Sequence, residues 1–171
     1  MRMRNRTAAL TTGATVAAAG LLATVAAAPA QAYDPNPKAW VTTTSTDNCP
    51  CTDGDLIDGT YFQKDVGGRG VKILATKRDD VSVILGKVEF HPAGEKLWVY
   101  DTRNDGDALY ATVEYYSGGK KVVKGPYKAP GTPKRIDKTT IDLSIPEGTY
   151  VTVKLYDGKG TDLIKSAGGR A

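Results

Sequence analysis

Leu109-Tyr110-Ala111-Thr112-Val113-Glu114-Tyr115-Tyr116 has a period of two. If Leu109, Ala111, Val113 and Tyr115 face inward, Tyr110, Thr112, Glu114 and Tyr116 face outward, as on a β-strand with one buried side. The same alternation recurs in both directions along the chain. Val151, Val153 and Leu155 inward place Tyr150, Thr152, Lys154 and Tyr156 outward, and Val71, Ile73 and Ala75 alternate with Lys72 and Thr76. Val81, Val83 and Leu85 hold one phase, which slips at Gly86-Lys87 so that Val88 and Phe90 become the apolar positions. A glycine at a phase slip predicts a β-bulge. Leu97-Trp98-Val99-Tyr100, Val122-Val123, Ile141-Leu143-Ile145 and Leu163-Ile164 supply further strands.

Turn residues separate these runs: Pro92-Ala93-Gly94, Asn104-Asp105-Gly106, Ser117-Gly118-Gly119, Pro146-Glu147-Gly148 and Asp157-Gly158. No segment carries apolar residues at helical spacing, so an all-β chain with a single antiparallel β-sandwich, or a barrel, is expected rather than a βαβ sheet. The three-proline stretch Gly125–Lys138 is the longest internal loop and reads as the crossover between sheets.

The chain has 171 residues, and its first 32 have the layout of an export signal. Arg2, Arg4 and Arg6 precede an uncharged Ala/Val/Leu/Thr run, and Ala30-Gln31-Ala32 ends it with small residues at the positions a signal peptidase accepts. Cleavage would make Tyr33 the new N-terminus. The net charge of +4 then nearly vanishes, because removing those three arginines from 23 basic residues leaves 20 against 19 acidic ones. A near-neutral chain gives no reason to expect nucleic acid. With 40% hydrophobic and 25% charged residues, neither a disordered chain nor a multi-span membrane protein fits. Residues 33–60 read as an extended arm followed by an acidic loop, and 61–171 as the sandwich domain.

Chemistry-bearing patterns are sparse. His91 is the only histidine, at a strand end before Pro92, and reads as an exposed or capping turn residue. No nucleophile–base motif or zinc motif is present, so no catalysis is expected. The cysteine inventory is Cys49-Pro50-Cys51. In an exported chain a disulfide between Cys49 and Cys51 is expected, although it closes almost no loop and adds little chain entropy. An inter-chain link, a redox pair and half a zinc site are the alternatives. Two acidic stretches, Asp47/Asp53/Asp55/Asp58 and Asp101 to Asp107, have some of the oxygens calcium needs. In the second, Arg103 and Thr112 fall where a helical calcium loop wants ligands, and Asp, Asn and Gly are also ordinary turn residues. No cofactor is expected.

Nine tyrosines and two tryptophans against two phenylalanines keep polar tips at a wet surface. With Leu97 and Val99 inward, Trp98 and Tyr100 join Tyr110 and Tyr156 on an outer face, where aromatic rings stack on sugars or contact proteins. In the opposite phase Trp98 would plug the core.

Val88-Glu89-Phe90, Leu97-Trp98-Val99-Tyr100-Asp101, Asp105-Gly106 and Leu143-Ser144-Ile145-Pro146-Glu147-Gly148-Thr149 are similar in arrangement to the small secreted β-sandwich proteins of actinomycetes, over about residues 86–158. That resemblance implies a secreted, immunoglobulin-like, non-enzymatic protein and transfers no site residues. Many members carry extra cysteines in the last strands, which this chain lacks. The expected function is a secreted, monomeric binding module for a glycan or cell-surface polymer, with Trp98, Tyr100, Tyr110 and Tyr156 as contacts and no membrane association after cleavage. The alternative is a secreted inhibitor or effector that binds a protein partner through Gly125–Lys138, using Lys128, Lys134 and Arg135.

Overall fold

A computed structural model describes residues 32–132 and 134–171. The expected signal, residues 1–32, lies outside the described residues except for Ala32. Eleven strands follow: β1 (Lys38–Ser45), β2 (Cys51–Asp53), β3 (Thr60–Phe62), β4 (Arg69–Thr76), β5 (Ile84–His91), β6 (Lys96–Asp101), β7 (Leu109–Ser117), β8 (Lys120–Tyr127), β9 (Asp137–Asp142), β10 (Tyr150–Asp157) and β11 (Leu163–Arg170). No helix occurs among the described residues, and so none long and apolar enough to cross a membrane.

Nine strands form one antiparallel sheet in the order β8-β7-β10-β11-β4-β5-β6-β9, with β1 on β4; β2 and β3 form a separate two-stranded sheet. The long sheet is continuous only through a single bridge, Arg69 to Arg170, where β11 meets β4. It curls there, so that β4–β5–β6 and β7–β10 face one another across one core. Val71, Ile73, Ala75, Val88, Phe90, Leu97 and Val99 on one side pack with Leu109, Ala111, Val113, Val151, Val153 and Leu155 on the other. These are the inward residues of the period-two reading, which the burial of apolar surface selects. The long loop after β8 carries the chain from one end of the sheet to the other, since β8 lies on β7 and β9 lies on β6.

Several features differ from the sequence reading: residues 81–83 form a turn before β5 rather than a strand, β9 ends at Asp142 before Leu143 and Ile145, and β8 and β9 take up both ends of the expected Gly125–Lys138 loop. Residues 38–45 do not form an arm outside the domain; they pair with β4 along their whole length, Lys38 opposite Thr76 through Ser45 opposite Arg69. Their Thr-rich sequence conceals this because β1 is half-exposed and has little apolar side to show. The bulge falls one residue earlier than expected. Ala75 is opposite Gly86 and Thr76 opposite Ile84, which leaves Leu85 as the extra residue. Gly86 is needed for close approach, because a Cβ there would collide with the Tyr100 carbonyl oxygen. Gly86→Ala should therefore destabilise the fold by about 2–3 kcal/mol, measured by urea unfolding; an unchanged midpoint would contradict this packing.

Candidate functional site

The bulge resets β5 so that Val88 and Phe90 enter the core while Lys87, Glu89 and His91 point away from it. On β6, Leu97 and Val99 in the core put Trp98 and Tyr100 on the same outer side. An outer sheet face normally meets water. Here the segment between β1 and β4 lies over it, and Lys87, Glu89 and His91 are all buried. The segment is pinched at its neck by Thr46, whose N–H donates to the Gly68 carbonyl (3.0 Å) and whose hydroxyl donates to the Asp65 carbonyl (2.8 Å). Within it are the Cys49–Cys51 disulfide and the β2–β3 hairpin.

The hairpin turn supplies carboxylates to the lysines below. Asp55 Oδ1 accepts the backbone N–H groups of Ile57, Asp58 and Gly59 at 2.9, 3.2 and 3.0 Å, which fixes the turn. Its Oδ2 faces Lys87 Nζ at 2.8 Å. Lys87 Nζ also donates to Asp58 (2.6 Å) and to the Gly59 carbonyl (2.7 Å), and pairs with Glu89 at 2.6 Å. The Tyr100 ring lies 4.5 Å from the same ammonium, and the Tyr100 hydroxyl donates to Asp58 at 3.0 Å. Lys72 Nζ pairs with Asp53 at 2.6 Å. Glu89 accepts from the Thr60 hydroxyl at 2.5 Å and lies 2.9 Å from His91 Nε2. Because a carboxylate only accepts, the His91 tautomer with hydrogen on Nε2 fits.

Protonation follows from this arrangement. Burial pushes the Asp55 carboxyl up, but Lys87 and the backbone N–H groups outweigh it and hold it at about 2. Burial pulls Lys87 down, yet hydrogen bonds to Asp55, Asp58 and Glu89 carry it above the usual lysine value. Tyr100 is raised by burial and then by the Glu89 and Asp58 charges.

Asp55, Asp58 and Glu89 bring carboxylate oxygens within 4.8 Å of one another, as a metal site would. The Lys87 ammonium stands among those oxygens and supplies the positive charge from within the chain. Of the acids in this loop that could offer oxygens to calcium, Asp53, Asp55 and Asp58 are engaged by Lys72 and Lys87, while Asp47 accepts from the Ser45 hydroxyl (2.7 Å) and the Gly67 N–H (2.6 Å). In the second stretch, Asp101 accepts the Arg103 N–H (2.9 Å) and Asp105 accepts the Asp107 N–H (3.2 Å), each capping its own turn. His91 is not the exposed turn residue expected from sequence. It is buried, with ring centroids 4.1 Å from Trp98 and 5.1 Å from Phe62. Thr60 bonds to Glu89 rather than to His91, so the cluster has no hydroxyl hydrogen-bonded to a histidine base.

The four aromatic residues singled out from sequence do not share a surface. Trp98 lies outside the core but between His91 and Lys138 Nζ, which is 4.2 Å from its ring; Tyr100 is 1% exposed beneath the hairpin. Tyr110 and Tyr156 pair with each other across β7 and β10, on the opposite outer face. Tyr110 is buried, with Lys128 Nζ 6.0 Å from its ring, and Tyr156 is half-buried.

The open aromatic pair lies at the other end of that face. Val151 is opposite Tyr115, so Tyr150 and Tyr116 are the next residues across the strands. They are 76% and 69% exposed. Arg170 lies 5.2 Å from the Tyr150 ring, and Glu114 pairs with Lys121 (2.9 Å) and Lys154 (2.8 Å) beside them. Shallow depressions flank Tyr150 on both sides, one lined by Ser45, Asp47, Arg69 and Arg170, the other by Glu114, Tyr116 and Lys121. Elsewhere, exposed Trp40 with Leu56, Leu74, Val81 and Ile84 lines an apolar cleft next to the hairpin. Alternation alone puts Tyr116 and Tyr150 outward. It does not encode which end of the face the loop after β8 covers. No protein-family model, curated protein or solved structure matches the chain.

Asp101 gives the site a pH signature. Burial first, then Asp105 and Asp137, raise its carboxyl to about 6 against the Arg103 N–H bond that lowers it. A carboxyl raised on folding binds its proton more tightly in the native state, so its contribution favours folding below the unfolded value near 3.8 and is lost as pH rises from there through about 6. Melting temperatures of wild type and Asp101→Asn should therefore diverge as pH rises from 4 to 7, the wild type losing more; parallel curves would contradict the assignment.

Proposed function

We propose that the protein is a secreted, non-catalytic binding module, and that its ligand is a glycan or cell-surface polymer that lies on the outer face of β7 and β10. The observation that carries this reading is the Tyr116–Tyr150 cross-strand pair, two exposed rings on paired strands, with the Arg170 guanidinium near Tyr150 and the Glu114–Lys121 and Glu114–Lys154 pairs beside them. Flat apolar faces bordered by hydrogen-bonding groups are what a sugar ring complements. Strand-borne rings lose little conformational freedom on binding. An immunoglobulin-like arrangement of the two facing half-sheets belongs to the same proposal, supported by the shared core and the long crossover. So does export, supported by the basic, apolar and small-residue order of residues 1–32.

The buried lysine–carboxylate cluster favours a structural role for the Trp98 side, since its rings are occupied by the chain's own groups. A second reading, binding of a protein partner through Gly125–Lys138, which spans the end of β8, the loop after it and the start of β9, is supported by that loop's form. Asp137 accepts hydrogen bonds from the Thr132 N–H and hydroxyl, which braces it, while Lys134, Arg135 and Ile136 are exposed.

The test is retention of residues 33–171 on a panel of insoluble polysaccharides and cell-wall fractions. Tyr116→Ala/Tyr150→Ala should abolish retention while changing stability by no more than about 0.5 kcal/mol per exposed substitution. Trp98→Ala should retain binding but lose stability by about 2 kcal/mol, less than a fully buried ring because Trp98 is half-buried. Loss of retention in Trp40→Ala alone would move the site to the apolar cleft, and no retention by the wild type would remove the glycan reading.

A further inference from the structure

Asp157, at the end of β10, is a carboxylate with 1% exposure. Among the described residues, its side chain has one hydrogen-bonding partner, the backbone nitrogen of Tyr33, at 2.9 Å from Oδ1 and 3.0 Å from Oδ2. A peptide nitrogen carries one hydrogen and no charge, so it can serve only one of the two oxygens well. The nearby charges do not help: burial first, then Asp162 and Asp107, raise the Asp157 carboxyl to about 6 against the Tyr33 N–H bond that lowers it. A buried carboxylate with a single neutral donor is a costly arrangement, and among the described residues no cation pairs with it.

The position of the missing charge coincides with a feature of the sequence. Tyr33 is the residue that follows Ala30-Gln31-Ala32, the small-residue end of the export signal. Its side chain packs against the core, which holds the nitrogen in place, and Ala32 before it is exposed.

We propose that cleavage of the Ala32–Tyr33 bond turns the Tyr33 nitrogen into an α-ammonium that forms a buried salt bridge with Asp157, so that the exported chain is completed by its own new N-terminus. In this step a leader peptidase adds water across the peptide bond. The new carboxylate departs with Ala32, and the amine stays on Tyr33 and takes up a proton at neutral pH. The ammonium has three hydrogens, enough for both Asp157 oxygens, and its charge neutralises the carboxylate. The new terminus then ties the start of the chain to the β10–β11 turn, 124 residues away in sequence. The uncleaved chain can make the contact only as a neutral hydrogen bond. This inference rests on the export reading for the place of cleavage, but not for the pairing itself.

The experiment compares three forms of the protein: one starting at Tyr33 with a free amine, the same chain acetylated at Tyr33, and one starting at Ala32. Each contains all eleven strands. The free-amine form should melt roughly 5 °C above the other two at pH 7, and Asp157→Asn should erase the difference. Equal melting temperatures, or a difference that persists in Asp157→Asn, would overturn the pairing. If Asp157→Asn does not fold, the acetylated form decides alone, since it removes the charge and leaves Asp157 in place. The mass of the protein recovered from the culture medium tests export separately. A chain that begins at Tyr33 supports the cleavage, whereas one that begins elsewhere overturns it without touching the thermal comparison.

Discussion

The Lys87 ammonium is the contact on which the arrangement of the β5–β6 face depends. It is fully buried and meets four oxygens from Asp55, Asp58, Gly59 and Glu89 at 2.6–2.8 Å. Three of those come from the hairpin turn and one from its own strand. That charge joins the hairpin turn to the sheet, beside the Lys72–Asp53 pair, the Thr60–Glu89 and Tyr100–Asp58 hydrogen bonds and the buried Phe62 ring. Asp55 transmits the constraint, because its second oxygen holds three backbone N–H groups of the turn. A buried ion pair of this kind is weak evidence for added stability, since desolvation offsets much of the attraction. Its clearer effect is on geometry: few positions of the hairpin allow all these oxygens to reach one ammonium.

That constraint separates the two outer faces of the curled sheet. Over β5 and β6 the hairpin region covers Lys87, Glu89, His91 and Tyr100, and Lys138 Nζ lies 4.2 Å from the half-buried Trp98 ring. Over β7 and β10, among the described residues, no hairpin lies on Tyr116 and Tyr150, and the Arg170 guanidinium approaches the Tyr150 ring at 5.2 Å while leaving it exposed. The same residue types thus have different fates, buried aromatic support on one side and exposed rings on the other. The fold positions the open pair by ordinary means, a period-two pattern and a fixed cross-strand register.

Much of the architecture is legible in the residues, because burial imposes a period that sequence records. Leu109, Ala111, Val113 and Tyr115 do face the core, and the phase slip near Gly86 marks a real bulge. β1 reads as an arm because its threonines carry no apolar alternation. The charged cluster leaves a partial signal, in that Lys87, Glu89 and His91 alternate with Val88 and Phe90. Three polar residues on one side of a strand normally mean solvent, and only the position of a loop between residues 46 and 68 reverses that meaning. Alternation puts Tyr100 and Tyr110 on the correct side of their strands for the same reason, but their covers come from segments distant in sequence, which periodicity does not encode.

If Lys87 holds the hairpin on the sheet, amide hydrogen exchange of Lys87→Met against wild type shows it most directly. Removing the ammonium leaves Asp55, Asp58 and Glu89 as neighbouring carboxylates with nothing between them. Residues 53–62 should then lose their protection while β7 and β10 keep theirs, showing a loop released from an intact sheet. Unchanged protection across residues 53–62 would contradict the account, because the hairpin would be held by something other than this charge.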